Sequence, residues 1–534
     1  MTIDFDWDLP YSAARSPVFA DHCVATSQPL ATEAGIAAMR SGGNAVDAAL
    51  ASAITLTVVE PCNNGIGSDA FALVWDGHSL HGLNASGRSP HKLDPSHYST
   101  SPQMPSLGWH SVTIPGAVSA WSALSDRFGA LPFEQLFKTA IHYAESGFPV
   151  GPKTAYFWDR ARRYYKDFPH FLGTFFPDGQ PVTPGSRRIL KDHADSLKKI
   201  AASQGKAFYE GELAQRMVED AQRHDFPLTL EDLSKHQPDW VDPIKMEFEG
   251  AQLFEIPPNG QGLMALIALG LLKHLNIKRH PLDSAESVHL QVETVRYAWR
   301  QVAMHLSDPE TMRYTVDDLL DPETLKQAAQ AIDPTRAMPL PPPLQASPDT
   351  VYLTTADRSG MMVSFIQSNF RGFGSGVVVP GTGISLQNRA SGFSTDINHP
   401  NGIGPGKRPF HTIIPGFAFH QGAPFMSFGV MGGHMQAQGH VQMMVRIIGH
   451  GQNPQAASDA PRWHLTEAGA LALESGFNAR TIESLRDLGH DVVLDQPEHL
   501  FGGAQLIARH DSGYCAASDH RKEGNAGPSQ FDHW

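Results

Sequence analysis

Thr350 is the residue with the most chemistry available to it. It closes MPLPPPLQASPDT, in which Pro339, Pro341, Pro342, Pro343 and Pro348 precede it. Were the Asp349–Thr350 bond broken, the residue would carry a β-hydroxyl within reach of its own α-amine. An α-amine titrating near about 8 can serve as general base close to neutrality, so one residue would supply both nucleophile and base. Before cleavage the same hydroxyl can attack the carbonyl that precedes it. Such a nucleophile needs a second hydroxyl to steady it and amide donors for the tetrahedral oxyanion, each worth about 3 kcal/mol of transition-state stabilisation. Ser368, in IQSN, is the candidate second hydroxyl. Gly432 and Gly433, in VMGGHMQ, are candidate oxyanion donors, because successive glycine amides can line an anion-holding concavity. His434 and His440 lack the H-x-x-x-H spacing of a metal site and read as loop and packing residues, so no metal is expected.

The elements that must position these residues change character at the proline-rich stretch. Upstream, residues 30–53 read as helix, turn, helix, broken at Gly42-Gly43 and restarted on Asn44, a good N-cap. The ITLTVVEP that follows fits either a buried strand or the end of that helix, and Pro61 stops it. NNGIGS feeds a strand, not a helix, so it is no dinucleotide site, and Gly65 with Gly67 is expected to permit close backbone packing. Segments 116–147, 212–223, 262–276 and 284–305 read as amphipathic helices of an outer layer. MPLPPPLQASPD can be neither helix nor central strand and reads as a linker. Beyond it TVYLTTAD, GMMVSFIQSN, GSGVVVPG, HTIIPGFAFH and APFMSFGVMGG read as strands. The first two would pair as a hairpin that brings Ser368 beside Thr350. The expected organisation is a mainly helical segment 1–349 and a β-rich segment 350–534, in a loop-rich mixed α/β fold.

Composition narrows the function classes. The chain has 534 residues, 18% charged and 41% hydrophobic, which fits a globular protein. A net charge of -14 excludes the positive field that a nucleic-acid partner needs, and Arg160–Arg163 reads as a solvated helix face. Cys23, Cys62 and Cys515 form no C-x-x-C pair and no disulfide framework. The N-terminus is acidic where a secretory signal would be basic, and no stretch is apolar enough to span a membrane. A soluble, cytoplasmic protein is expected.

The ordered motifs SGGNAVDAALASAITLTVVEP, IPGAVSAW, FGALPFEQLFKTAIHYAESGFPV, DTVYLTTADRSG, FGSGVVVPGTG, PGKRP, MGGHMQAQGH and ASDHRKEG together resemble the gamma-glutamyltransferase (glutathione hydrolase) family over about residues 31–524. The resemblance implies a four-layer αββα sandwich of the N-terminal nucleophile hydrolase type. It also implies autoproteolysis before a threonine, and amide hydrolysis or acyl transfer without metal or cofactor. It assigns Thr350 as nucleophile, Ser368 as second hydroxyl, Gly432 and Gly433 as oxyanion hole, and Asn388 as a pocket residue. At the substrate end this chain departs from the family. Ser86 replaces the arginine that grips a substrate carboxylate, with Arg88 two positions on. His411-Thr412 replaces a serine pair, Gly392 replaces the aspartate that binds the α-ammonium, and Arg389 replaces a glutamine.

Loss of that aspartate leaves a substrate ammonium without a counter-charge, and Arg389 would repel it. Arg88, Arg389 and His411 suit a carboxylate lacking a neighbouring amine. The expectation is therefore an acylase or amidohydrolase acting on a small carboxylate-bearing amide. Its two cleaved segments would remain together as a heterodimer, with a higher oligomer left open. A true glutathione hydrolase and a non-cleaving binding relative are the alternatives.

Overall fold

The computed structural model describes residues 15–339, 350–511 and 513–529. Most of the proline-rich linker and Asp349 lie outside the described residues.

Two seven-stranded antiparallel sheets stack face to face. The first sheet runs, edge to edge, Asn525–Pro528, Cys23–Thr26, Val351–Ala356, Met362–Ser368, Asp69–Trp75, Leu80–Ala85 and Asp239–Val241. The facing sheet runs Val18–Ala20, Gly513–Ser518, Gly503–His510, Ala423–Met431, Gly416–His420, Ala251–Glu255 and Ile244–Phe248. Between them Phe71, Tyr352, Ile366, Phe417, Met431 and Ile507 form a fully buried core. Helices Ala45–Val59 and Ala117–Phe128 cover the outer face of the first sheet, while Gly262–Leu272, Ala285–His305 and Met435–Met444 cover that of the facing sheet. The order of layers is helix, sheet, sheet, helix, the αββα sandwich that the resemblance implied.

Local sequence explains most of these elements. Asn44 and Asp47 form a reciprocal capping box that starts Ala45–Val59, and such a cap is worth about 1 kcal/mol. The helix then carries straight through Ile54–Val59, so ITLTVV is helical despite its β-branched residues. Every residue from Ala45 to Val59 is buried, and burial on all sides outweighs weak propensity. Segment 116–147 is helical in pieces: Ala117–Phe128, a short 3-10 turn Phe133–Phe137, and Lys138–Ser146. Gly65 and Gly67 do permit close packing, since a Cβ on either would sit 2.4 Å from Ser385 atoms.

One expected strand is absent. Of GSGVVVPG only Val378 makes an isolated bridge, to Ser385. Gly374 and Gly376 hold φ of +85° and +79°, a left-handed path that extended pairing cannot follow, and Pro380 supplies no amide hydrogen.

The segment after residue 349 is knitted into both sheets. Val351–Ala356 lies between Cys23–Thr26 and Met362–Ser368, which itself pairs with Asp69–Trp75. Tyr352, next to the nucleophile candidate, packs edge-on to the facing sheet where Gly429 leaves room: a Cβ there would come within 2.5 Å of its ring. Gly429→Ala should therefore lower stability by about 1–3 kcal/mol through overpacking, read as a lower urea midpoint. An unchanged midpoint would show that the ring can move aside.

Candidate active site

Thr350 is fully buried at the head of Val351–Ala356. Antiparallel register sets Val351 opposite Gln367, so Ser368 ends its strand beside Thr350. The two hydroxyls meet, with Thr350 Oγ1 donating to Ser368 Oγ at 3.2 Å. Ser368 Oγ also accepts from the amide of Phe370 at 2.9 Å, and Phe370 holds φ of +80°, a conformation rare for a side chain of its size. On the other side Gln436 turns its Nε2 to Thr350 Oγ1 at 3.4 Å. Gln436 was not singled out by the sequence, where it is one glutamine among several in a helical stretch.

Gly432 and Gly433 make the turn between Ala423–Met431 and Met435–Met444, with φ of +113° and +58°. Gln436 is three residues beyond Gly433, so its contact with Thr350 ties the helix that follows the turn to that residue. The Gly432 carbonyl accepts from the Met435 amide at 2.9 Å, which fixes the peptide that carries the Gly433 amide, and the Gly433 carbonyl accepts from Gln261 Nε2 at 2.8 Å, which fixes the one after it. His434 caps the helix, and its Nδ1 meets Gln261 Oε1 at 3.3 Å. His440, within the helix, pairs with buried Glu255 at 2.6 Å. Both histidines serve packing and loop geometry.

A second buried group adjoins the first. Asp69 stands opposite Ser368 in register and contacts His411 Nε2 at 3.0 Å. His411 Nδ1 accepts from the Ile413 amide at 3.4 Å, which places the ring proton on Nε2, facing Asp69. Burial pushes Asp69 up to about 7, against the opposing pull of Arg389 and of the Gly116 and Gly87 amides. Burial, reinforced by Arg389 and Arg408, holds His411 well below its ordinary value, so it is neutral.

Arg389 is 1% exposed, and its guanidinium lies 4.7 Å over the Phe370 ring. Its Nη1 donates to Thr412 Oγ1 at 2.8 Å. Nε and Nη2, the two donors of one edge, have no hydrogen-bond partner among the described residues. Burial lowers this arginine to about 9, opposed by Asp69, so it is a cation at neutral pH.

The remaining expected residues lie around this centre. Asn388 holds the loop after Ser368: its Oδ1 accepts from the Arg371 amide at 3.2 Å and its Nδ2 donates to the Ser106 carbonyl at 2.8 Å. Ser86 is buried and bonds Asn84. Arg88 is engaged elsewhere than Arg389: it pairs with Asp308 at 2.9 Å and with the Gly406 carbonyl at 3.1 Å, whereas Arg389 donates to Thr412. The physical reason is that Asp308 is nearly buried and takes the nearest cation. A Cβ at Gly392 would stand 2.9 Å from the Phe410 carbonyl, so this position is shaped against any side chain.

Among the described residues, one group elsewhere has metal-ligand composition. His289, Glu293 and His490 bring ligand atoms within 4.8 Å of one another. His289 Nδ1 meets His490 Nε2 at 2.8 Å and Glu293 holds Arg296 and the Met338 amide, while His490 Nδ1 has no hydrogen-bond partner among the described residues.

The gamma-glutamyltranspeptidase family pattern matches residues 31–529. The chain belongs to that family. It is 33% identical to the glutathione hydrolase-like YwrD proenzyme of Bacillus subtilis, over 96% of this chain and 99% of that one. It is 35% identical to the oxamate amidohydrolase proenzyme of Klebsiella pneumoniae, over 93% and 96% respectively. Among solved structures, a cephalosporin acylase from Bacillus halodurans superposes with a TM-score of 0.94 at 42% identity, covering 99% of this chain and 100% of that one. The chain is thus an enzyme of the amide-hydrolysing branch of this family, with the N-terminal nucleophile hydrolase fold. No helix among the described residues is long and apolar enough to cross a membrane.

The buried Asp69 gives the family fold here a pH signature. With its folded value raised to about 7 from an ordinary 3.8, the folded state holds a proton over that interval which the unfolded state has released. Stability from this group therefore falls as pH rises from about 4 to 7. The unfolding free energy of the native protein should drop relative to Asp69→Asn between pH 5 and 8. A constant difference would mean that Asp69 is ionised throughout.

Proposed function

We propose that cleavage of the Asp349–Thr350 bond frees Thr350 as an N-terminal nucleophile, which hydrolyses the amide of a small substrate whose acyl part carries a carboxylate. The observation that carries this reading is the buried Thr350 hydroxyl, 3.2 Å from Ser368 at the ends of two paired strands and joined by Gln436 to the helix that follows the Gly432-Gly433 turn. The α-amine takes the hydroxyl proton as Oγ1 attacks the amide carbonyl. Amides of Gly432 and Gly433 receive the oxyanion, the C–N bond breaks, and the α-ammonium protonates the departing amine. Water then resolves the acyl-Thr350 ester by the reverse proton route, unless an amine takes its place. The reaction needs no metal or cofactor.

Arg389 supports the acid-bearing substrate. A guanidinium edge of Nε and Nη2 matches the two oxygens of a carboxylate, and Thr412 and Phe370 already fix its plane. His411 and Asp69 brace the Thr412 side of this pocket. An α-ammonium finds no counter-charge here, because the Asp69 oxygens already serve His411 and the Gly116 amide and position 392 is glycine. Among the relatives, oxamate amidohydrolase is named for a substrate that is itself a carboxylate beside an amide. Arg88, paired to Asp308, would act at most at the pocket rim, and Asn388 shapes the loop that carries Phe370. On this reading segments 1–349 and 350–534 form a two-chain enzyme, held in a soluble, cytoplasmic protein.

Purified enzyme should show two bands on a denaturing gel, and Thr350→Ala a single full-length band. Normal maturation of that variant would remove Thr350 from the mechanism. Among anilides, glutaryl-anilide should be cleaved far better than γ-glutamyl-anilide, with oxamate as a third substrate. Arg389→Met should raise KM for the acidic substrate about ten- to hundredfold, as expected for losing a charged hydrogen-bond pair. Preference for the γ-glutamyl compound would instead identify a glutathione hydrolase.

A further inference from the structure

We infer that Gln436 is a further catalytic residue, whose side-chain amide donates to Oγ1 of Thr350 and stabilises the negative charge that gathers there. This rests on Thr350 being the nucleophile. The orientation of Gln436 is not free. It is fully buried, and its Oε1 accepts from the Ile414 amide at 3.0 Å. Flipping the side-chain amide would set its NH2 group against that N–H, so Nε2 must face Thr350 Oγ1, at 3.4 Å. The hydroxyl proton of Thr350 is directed to Ser368 Oγ at 3.2 Å, and Ser368 in turn accepts from the Phe370 amide at 2.9 Å. These bonds each have one direction, and Oγ1 is an acceptor toward Gln436.

The resting contact is long, as such contacts are before charge develops. When the hydroxyl proton passes to the α-amine, Oγ1 gains negative charge and the bond to Gln436 becomes charge-assisted. In acylation Oγ1 forms its bond to the carbonyl carbon, the C–N bond breaks, and the α-ammonium proton leaves with the amine. In hydrolysis of the ester, water gives its proton to the α-amine and bonds the carbonyl carbon. The C–Oγ1 bond then breaks, its electron pair returns to Oγ1, and the α-ammonium restores the hydroxyl. Gln436 transfers no proton in either step; it faces Oγ1 as that atom enters and leaves the bond. It is also the second residue of Met435–Met444, so its donor and the Gly432-Gly433 turn ride on one rigid element.

Two variants separate this role from simple support of Ile414. Gln436→Met removes the donor and the Ile414 contact. Gln436→Glu keeps an acceptor for Ile414, but once ionised it can only accept from Thr350. With cleaved enzyme and an acidic anilide, Gln436→Met should lose about ten- to hundredfold in kcat while KM stays within about twofold. Gln436→Glu should show a kcat that falls with rising pH along a limb the native enzyme lacks. If Gln436→Met does not fold, that pH limb decides the matter. A native kcat for Gln436→Met, a loss confined to KM, or a native pH profile for Gln436→Glu would overturn the inference. Should Thr350→Ala mature normally, the underlying reading fails instead, and the two failures are told apart by that gel.

Discussion

The ladder between Val351–Ala356 and Met362–Ser368 sets everything else in the site. Its register puts Val351 across from Gln367 and lets two hydroxyls meet at the strand ends. A one-residue slip would turn every side chain of the strand to the opposite face, sending Tyr352 out of the inter-sheet core and Thr350 away from Ser368. The register is in turn held by burial on both faces, since each residue of both strands is buried. The meeting of the two hydroxyls is thus a by-product of core packing.

Charge is distributed with equal economy. Asp308 and Arg88 pair with each other, while Arg389 is buried with two of its three guanidinium nitrogens lacking a hydrogen-bond partner among the described residues. A buried cation with open donors is costly unless something stabilises it. Here Asp69 lies close enough to act on it through space without a direct ion pair, and Thr412 and the Phe370 ring take up one edge and one face. His411, kept neutral, adds no competing charge.

Much of this was legible in the sequence. Thr350 and Ser368 could be placed together because a hairpin is a local event and hydroxyls announce their chemistry. The Gly432-Gly433 turn was legible for the same reason. Gln436 and Asp69 were not, because their partners are 86 and 342 residues away in sequence and neither residue type is distinctive. The run Ile54–Val59 looked like strand or helix and became helix, since burial on all sides removes the periodicity that would have told them apart. The glycines around Val377–Val379 overrode a β-branched run. Arg88 and Arg389 looked alike by type, and their difference lies in a neighbour, Asp308, that no local pattern connects to either.

The interleaving of strands from before and after the linker has a consequence for the order of events in the life of the molecule. Neither portion contains a complete seven-stranded sheet, so the core between the two sheets needs strands from both. The hydroxyl proposed to open the chain reaches its attacking position only after both sheets have assembled. Activation is then reserved for correctly assembled molecules, and a misassembled copy stays silent without any external inspector.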